Sequence, residues 1–332
     1  MTDVETELVG LEAVRAAAST LRGVAIRAPL VPYGPPARRW FLKAESLQPI
    51  GAFKIRGAYT AVAALTDDER RHGVITYSSG NHAQGVARAA RLLGAPAVVV
   101  MPSDAPATKK ARVEADGAEV VVVGPSSEER QAVAERIAAE RGLAIIPPYD
   151  DDRIIAGQGT VGLEIAEDLP DVAAVLVPIG GGGLASGVAV AVRALTPGAR
   201  LIGVEPELAA DARDSLRAGR IVRWSGEDAS RTIADGTRTT AIGRRNFAHL
   251  SRLLDDIVTV TEDEIAAGVR LAAERSRLVV EPSGALPIAA LEWRRHEAGL
   301  DPVDGPIVAV VSGGNVDPER YRQLLEAAVP QA

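Results

Sequence analysis

Residues Ala173 to Glu205 read AAVLVPIGGGGLASGVAVAVRALTPGARLIGVE. The apolar run Ala173 to Pro178 has the length of a buried strand, Leu184 to Leu195 that of a helix, and Arg200 to Glu205 that of a second strand. Strand, glycine turn, helix and strand make a crossover unit, whose strands lie parallel in a sheet covered by helices. The alternation recurs upstream. Val74 to Tyr77, Ala97 to Met101 and Glu119 to Val123 read as strands; Asn81 to Leu93, Ala107 to Asp116 and Ser127 to Arg141 read as helices. After Gly159 come a helix at Thr160 to Asp168, a late strand at Val308 to Val311, and a last helix at Pro318 to Ala328 with no regulatory domain expected beyond it. The two series divide near Tyr149 to Arg153, so the expected fold is α/β: two open, twisted, mainly parallel sheets with flanking helices and a cleft between them.

Composition narrows the function. At 332 residues there is room for two domains, or for one large domain with an insertion. A net charge of −7 argues against a nucleic-acid binder, which needs a basic face, and the local pair Arg244-Arg245 reads as solvated surface. The chain has no cysteine, which excludes disulfides, zinc-thiolate sites and thiol nucleophiles. The first residues carry Asp3, Glu5 and Glu7 rather than a signal pattern, and no apolar run reaches membrane length. A cytoplasmic protein is expected. The lysines are Lys43, Lys54, Lys109 and Lys110, so any lysine-dependent chemistry has four candidates.

Ligands of parallel sheets sit beyond the C-terminal ends of strands. Three glycine-rich or polar stretches fall there: Ser78-Ser79-Gly80-Asn81, Gly180 to Gly183, and Ser312-Gly313-Gly314-Asn315. The glycine run lets successive backbone N–H groups approach an anion at a helix start, and a phosphate is the natural guest. A dinucleotide competes, because Gly180, Gly182 and Ala185 fit the looser fingerprint and Glu205 ends the next strand. A tight turn with no ligand is the third reading.

Lys54 stands in Gly51-Ala52-Phe53-Lys54-Ile55-Arg56-Gly57. Apolar neighbours would desolvate its ammonium and lower its pKa toward a nucleophilic amine. A surface lysine laying its stem on apolar ground fits the same letters. Lys43, beside Phe41 and Leu42, shares the setting but lacks glycines that would admit a bulky ring. Ser78 to His82 follows a strand and opens a helix, so its hydroxyls and N–H groups either cap that helix or hold a substrate carboxylate. His82 reads as structural or as a support for its neighbours. No Gly-x-Ser-x-Gly elbow surrounds either serine, which argues against a Ser-His-Asp hydrolase. Glu205, Glu207 and Asp211, grouped after a strand, suit either a hard divalent cation or plain solvation.

The order of these motifs, with Gly157-Gln158-Gly159-Thr160-Val161-Gly162-Leu163-Glu164 between them, resembles the serine/threonine dehydratase and serine racemase family. These are fold-type II pyridoxal-phosphate enzymes of tryptophan synthase β-like architecture, and the resemblance runs from Leu30 to Asp317. It implies a large cofactor-binding domain from residues 1–72 and 151–332, a small mobile domain from residues 73–150, and a homodimer. It implies that Lys54 forms the Schiff base with pyridoxal 5′-phosphate and that Phe53 packs on the ring. Asn81 would meet the ring hydroxyl and Ser312 the pyridine nitrogen, while Gly180, Gly181, Gly182, Gly183 and Leu184 hold the phosphate. Ser78, Ser79, Gly80, Asn81 and His82 would form the substrate loop. Glu205, the carbonyl of Ala209, and Asp211 match a divalent-cation site, Mg²⁺ or another, in the racemase-like branch.

The implied reaction is dehydration of L-threonine or L-serine. The amine of Lys54, freed by the substrate amine, takes the Cα proton, and the product becomes a 2-oxo acid and ammonia. A neutral Ser312 at the ring nitrogen favours prompt loss of the β-hydroxyl over transamination. Ser79 departs from the alanine common in simple threonine dehydratases, and a hydroxyl opposite Lys54 could act as a second acid-base group. An amino-acid racemase and a threo-3-hydroxyaspartate dehydratase are therefore the close alternatives. A nicotinamide-dependent dehydrogenase and a non-catalytic ligand-binding relative are those of other classes. Ala52, Pro49 and Ile50 leave the substrate side chain open, and Arg238 is the candidate cation for a second substrate carboxylate.

Overall fold

The computed structural model describes residues 7–35, 37–78, 80–105, 107–124, 127–301 and 303–331. Among them, ten strands form two sheets. The strands are β1 (Leu30–Tyr33), β2 (Trp40–Ala44), β3 (Val74–Tyr77), β4 (Ala97–Pro102), β5 (Glu119–Val123), β6 (Ala144–Ile145), β7 (Ala174–Pro178), β8 (Arg200–Pro206), β9 (Asp256–Val260) and β10 (Ile307–Val311). The larger sheet has the order β1-β2-β10-β7-β8-β9 and the smaller β5-β4-β3-β6. The pairing of β1 with β2 is antiparallel, and every other pair is parallel. The α/β expectation holds.

Parallel strands buried on both faces need apolar residues at consecutive positions, which is why β4, β7 and β10 read as unbroken apolar runs. Along β10, Ile307, Ala309 and Val311 enter the core on one face while Val308 and Val310 enter the core on the other. In β4, Ala97, Val99 and Met101 likewise oppose Val98 and Val100. The core beneath the small sheet also takes in Ala58, Ala61, Val62 and Leu65, from and just after the helix that begins at Lys54.

The helix expected from Thr160 begins earlier, at Asp152. Its glycines look like breakers in the sequence but are sites of backbone contact. A Cβ on Gly157 would lie 2.6 Å from the Cα of Gly57, and one on Gly162 would lie 2.7 Å from the carbonyl of Val188. Asp151 caps the helix by accepting from the N–H of Arg153. No helix among the described residues is long and apolar enough to cross a membrane.

Candidate active site

Adjacent parallel strands deliver their following loops to one edge of the sheet. There β10 leads into Ser312, β7 leads into the glycine run, and β8 carries Glu205 just before its last residue. The small sheet brings β3 and its loop to the same place.

Lys54 opens the helix Lys54–Ala63. The loop before it is stitched to the loop after β10: the Phe53 N–H donates to the Ser312 carbonyl at 3.0 Å, the Gly314 N–H donates to the Gly51 carbonyl at 2.9 Å, and Ala52 bridges Gly313. The Lys54 ammonium lies 5.1 Å from the centre of the Phe53 ring and donates to the Pro148 carbonyl at 2.7 Å. The side chain is half-buried, and the desolvation of its ammonium lowers its pKa to about 8. The surface-lysine reading fails here. Lys43 is fully buried and spent on Ala28 O and Glu164, both at 2.6 Å.

Beneath Lys54, Arg56 holds the helix down. Its guanidinium reaches Glu45 at 2.8 Å and Glu164 at 2.7 Å, and also bonds Thr160 and the Ile26 carbonyl. Burial alone would lower the pKa of this guanidinium, but the two carboxylates outweigh it and hold the charge.

The glycine run forms a cradle with no room for side chains. Gly182 has φ +95°, in the left-handed region that favours glycine. A Cβ on Gly181 would lie 2.2 Å from ring atoms of Tyr149, and one on Gly180 would lie 3.1 Å from Thr237 Cα. The helix Gly183–Leu195 has no side-chain cap at its N-terminus, which leaves that end electropositive. The Leu184 side chain packs into the core of the large sheet, so only its backbone can serve the cradle.

On the small-sheet side, Ser78 Oγ accepts from the Gly80 N–H at 3.3 Å, and the helix Asn81–Leu93 has no side-chain cap. Capping therefore does not account for these polar residues. Asn81 donates to Glu281 at 2.7 Å and accepts from Asn315 Nδ2 at 2.8 Å. His82 is buried, with Nε2 3.0 Å from the Ile146 carbonyl. Burial first, and the nearby Lys54 charge second, lower its pKa to about 3, so it is neutral. Ser79 lies outside the described residues.

Glu205 and Asp211 are both buried, whereas Glu207 is exposed. Glu205 accepts from the N–H groups of Ala212 at 3.0 Å and Arg213 at 2.8 Å. It thus faces a helix start rather than a ribose, and the dinucleotide reading loses its acidic residue. Burial raises both carboxyls, Asp211 to about 7, and the charge of Asp211 raises Glu205 further. Ala209 is buried in the turn beside them. Arg238 donates Nε and Nη2 to the Thr232 carbonyl at 2.9 and 2.6 Å.

Tyr149 and Glu281 are the residues that the sequence reading missed. Nothing local marks Tyr149, whose importance comes from lying against a glycine distant in sequence. Glu281 left a faint signal: an acid between the apolar run Leu278 to Val280 and an apolar helix.

The profile of the family described as pyridoxal-phosphate dependent enzyme matches residues 23–313. The L-threo-3-hydroxyaspartate ammonia-lyase of Saccharomyces cerevisiae is 44% identical over 285 residues, covering 86% of this chain and 85% of that protein. The serine racemase of Schizosaccharomyces pombe is 41% identical, covering 86% of each. Among solved structures, the processed form of a threonine deaminase from Solanum lycopersicum superposes with a TM-score of 0.87 at 34% identity, over 98% of this chain and 91% of that one. The chain belongs to the pyridoxal-phosphate dependent enzymes.

Proposed function

We propose that the protein is a dehydratase releasing ammonia from a small β-hydroxy amino acid, with L-threonine or L-serine as substrate. The observation that carries this reading is the desolvated Lys54 amine, stitched through Phe53 to the Ser312 loop and, through Pro148, next to the Tyr149 ring that lies on the glycine cradle. These residues fit pyridoxal phosphate. The side-chain-free run Gly180 to Gly183 at an uncapped helix start suits a phosphate, and the buried Ser312 offers an uncharged hydroxyl to a ring nitrogen. When bound, that group supplies the electron sink for the charge left at Cα.

The chain's own residues do the rest. Lys54 would hold the group through its amine, and that amine, once free, would take the Cα proton on Nζ. Ser78, Gly80 and the uncapped N-terminus of helix Asn81–Leu93 orient the substrate carboxylate. Loss of the β-hydroxyl and hydrolysis of the resulting enamine release a 2-oxo acid and ammonia. Arg238, spent on the Thr232 carbonyl, favours an uncharged side chain over a second carboxylate. The test is a panel of hydroxy amino acids scored for 2-oxo acid and for enantiomer. We expect turnover of L-threonine and L-serine well above that of L-threo-3-hydroxyaspartate, and the reverse order would overturn the preference.

The 41% identity to a serine racemase, together with Ser79 in the sequence, favours racemisation as the second reading. Ser79→Ala should then abolish racemisation while keeping much of the L-serine elimination. Equal loss of both would mean that Ser79 only positions substrate.

The same proposal includes a divalent cation at Glu205 and Asp211. Its support is Asp211 Oδ2, buried without a hydrogen-bond partner beside a second buried carboxylate. It also includes the division into residues 1–72 with 151–332 and a mobile unit of residues 73–150. Two exposed contacts join that unit to the rest above the site, Lys109 to Asp235 at 2.6 Å and Arg112 to Asn315 at 2.8 Å. Homodimeric assembly is carried on the family resemblance and is checked by sedimentation.

A further inference from the structure

Glu281 occupies the N-cap position of the helix Pro282–Trp293, yet its side chain does not cap that helix. It is 4% exposed, and a carboxylate so buried is costly unless it is hydrogen-bonded. Its Oε1 instead accepts from Asn81 Nδ2 at 2.7 Å, across 200 residues of sequence. Its own N–H donates to the Gly313 carbonyl at 3.0 Å. The carboxylate fills the space beside Gly313, where a Cβ would lie 2.3 Å from Oε1.

The other end of the Asn81 amide is also held. Asn315 Nδ2 donates to Asn81 Oδ1 at 2.8 Å and to the Ile50 carbonyl at 2.8 Å. The Ile50 carbonyl can only accept, so Asn315 turns its NH₂ to it and to the oxygen of Asn81; the NH₂ end of Asn81 then faces Glu281, which in its ionised form only accepts. A flipped amide would set two acceptors against each other. The chain of contacts thus joins the loop after β3 to the loop after β10, the loops on which the proposed function depends.

We infer that Glu281 is a positioning residue, whose carboxylate fixes the amide of Asn81 and fastens the Ser78–His82 loop to the Ser312–Asn315 loop. It touches neither substrate nor cofactor in this role. Burial, with Asp235 adding to it and Lys109 opposing it, raises its pKa to about 7, consistent with a carboxylate held by few donors.

The test compares wild type with Glu281→Met, which keeps the bulk and removes the acceptor, and with Glu281→Gln, which keeps one acceptor oxygen. Amide hydrogen exchange is read on the cofactor-free full chain. Glu281→Met should speed exchange about tenfold or more in both residues 80–85 and residues 312–316, the scale of one lost charge-assisted hydrogen bond. Glu281→Gln should give a smaller rise in the same two segments, and it decides the matter if the Met variant does not fold. In the holoenzyme, kcat should fall more than KM rises, with Gln restoring part of the loss. Protection unchanged in either segment, or lost only in residues 281–285, overturns the inference. If the wild type captures no pyridoxal phosphate, the proposed function falls, while the exchange comparison still decides the role of Glu281.

Discussion

The desolvated ammonium of Lys54 makes a quantitative prediction about how the protein captures its cofactor. Only a neutral amine attacks an aldehyde, so the capture rate follows the neutral fraction of Lys54. Lowering the pKa from 10.5 to about 8 raises that fraction at pH 7 from about 3 in 10,000 to about one in ten, a gain of about 300-fold. The perturbation is pH, stepped from 6 to 10. The assay is rapid mixing of cofactor-free protein with pyridoxal phosphate, followed by visible absorbance, beside a free alkyl amine whose rate per neutral molecule divides out the ionisation of the aldehyde itself. The corrected rate should rise tenfold per pH unit at first, bend near pH 8 and flatten above pH 9. A rate that climbs in step with the free amine through pH 10 would show a solvated Lys54 and refute the reasoning. Stability must follow the same titration. Between pH 8 and 10.5 the unfolded chain keeps the proton that the folded chain has lost, so Lys54 makes stability rise with pH across that window and adds no slope below it.

Three further outcomes follow from the packing around the site. Arg56→Met strands the buried Glu45 and leaves Glu164 with Lys43 alone; unfolding by guanidinium should show a loss of about 3–5 kcal/mol, and a loss under ~1 kcal/mol would mean the network is dispensable. Gly181→Ala drives a Cβ against the Tyr149 ring and should cost about 1–3 kcal/mol in thermal unfolding. In a Tyr149→Ala background the same change should cost much less, and an equal cost in both backgrounds would clear the ring of blame. Millimolar Mg²⁺ should raise the melting temperature of the wild type and not that of Asp211→Asn; equal response of the two would remove the cation from Glu205 and Asp211.

The fold was legible because its central strands are apolar on both faces and its loops are glycine-rich. What stayed hidden was of another kind. β1 is four residues long and interrupted by Pro32, and β9 opens on the exposed Asp256 and carries Thr259, so neither shows the unbroken apolar signature of β7 and β10. The start of the helix Asp152–Asp168 was lost because a glycine that permits backbone contact and a glycine that breaks a helix look the same. At the site, the glycine run announced itself through local chemistry, whereas the letters around Lys54 fitted a surface lysine as well and the order of the motifs along the chain singled it out. Tyr149 and Glu281 stayed hidden, since each acts on a partner far along the chain: Tyr149 on Gly181, and Glu281 on Asn81. Glu205 and Asp211 were visible as a pair, but their burial was not, and burial separates a cation site from a solvated loop.

The central claim is that Lys54 carries the cofactor, and one measurement reaches it directly. Holoenzyme is reduced with borohydride, digested, and mapped by mass spectrometry. The visible absorbance should disappear and a single phosphopyridoxyl label should fall on the peptide containing Lys54. A label on Lys43, Lys109 or Lys110 instead, or none at all, would contradict the account.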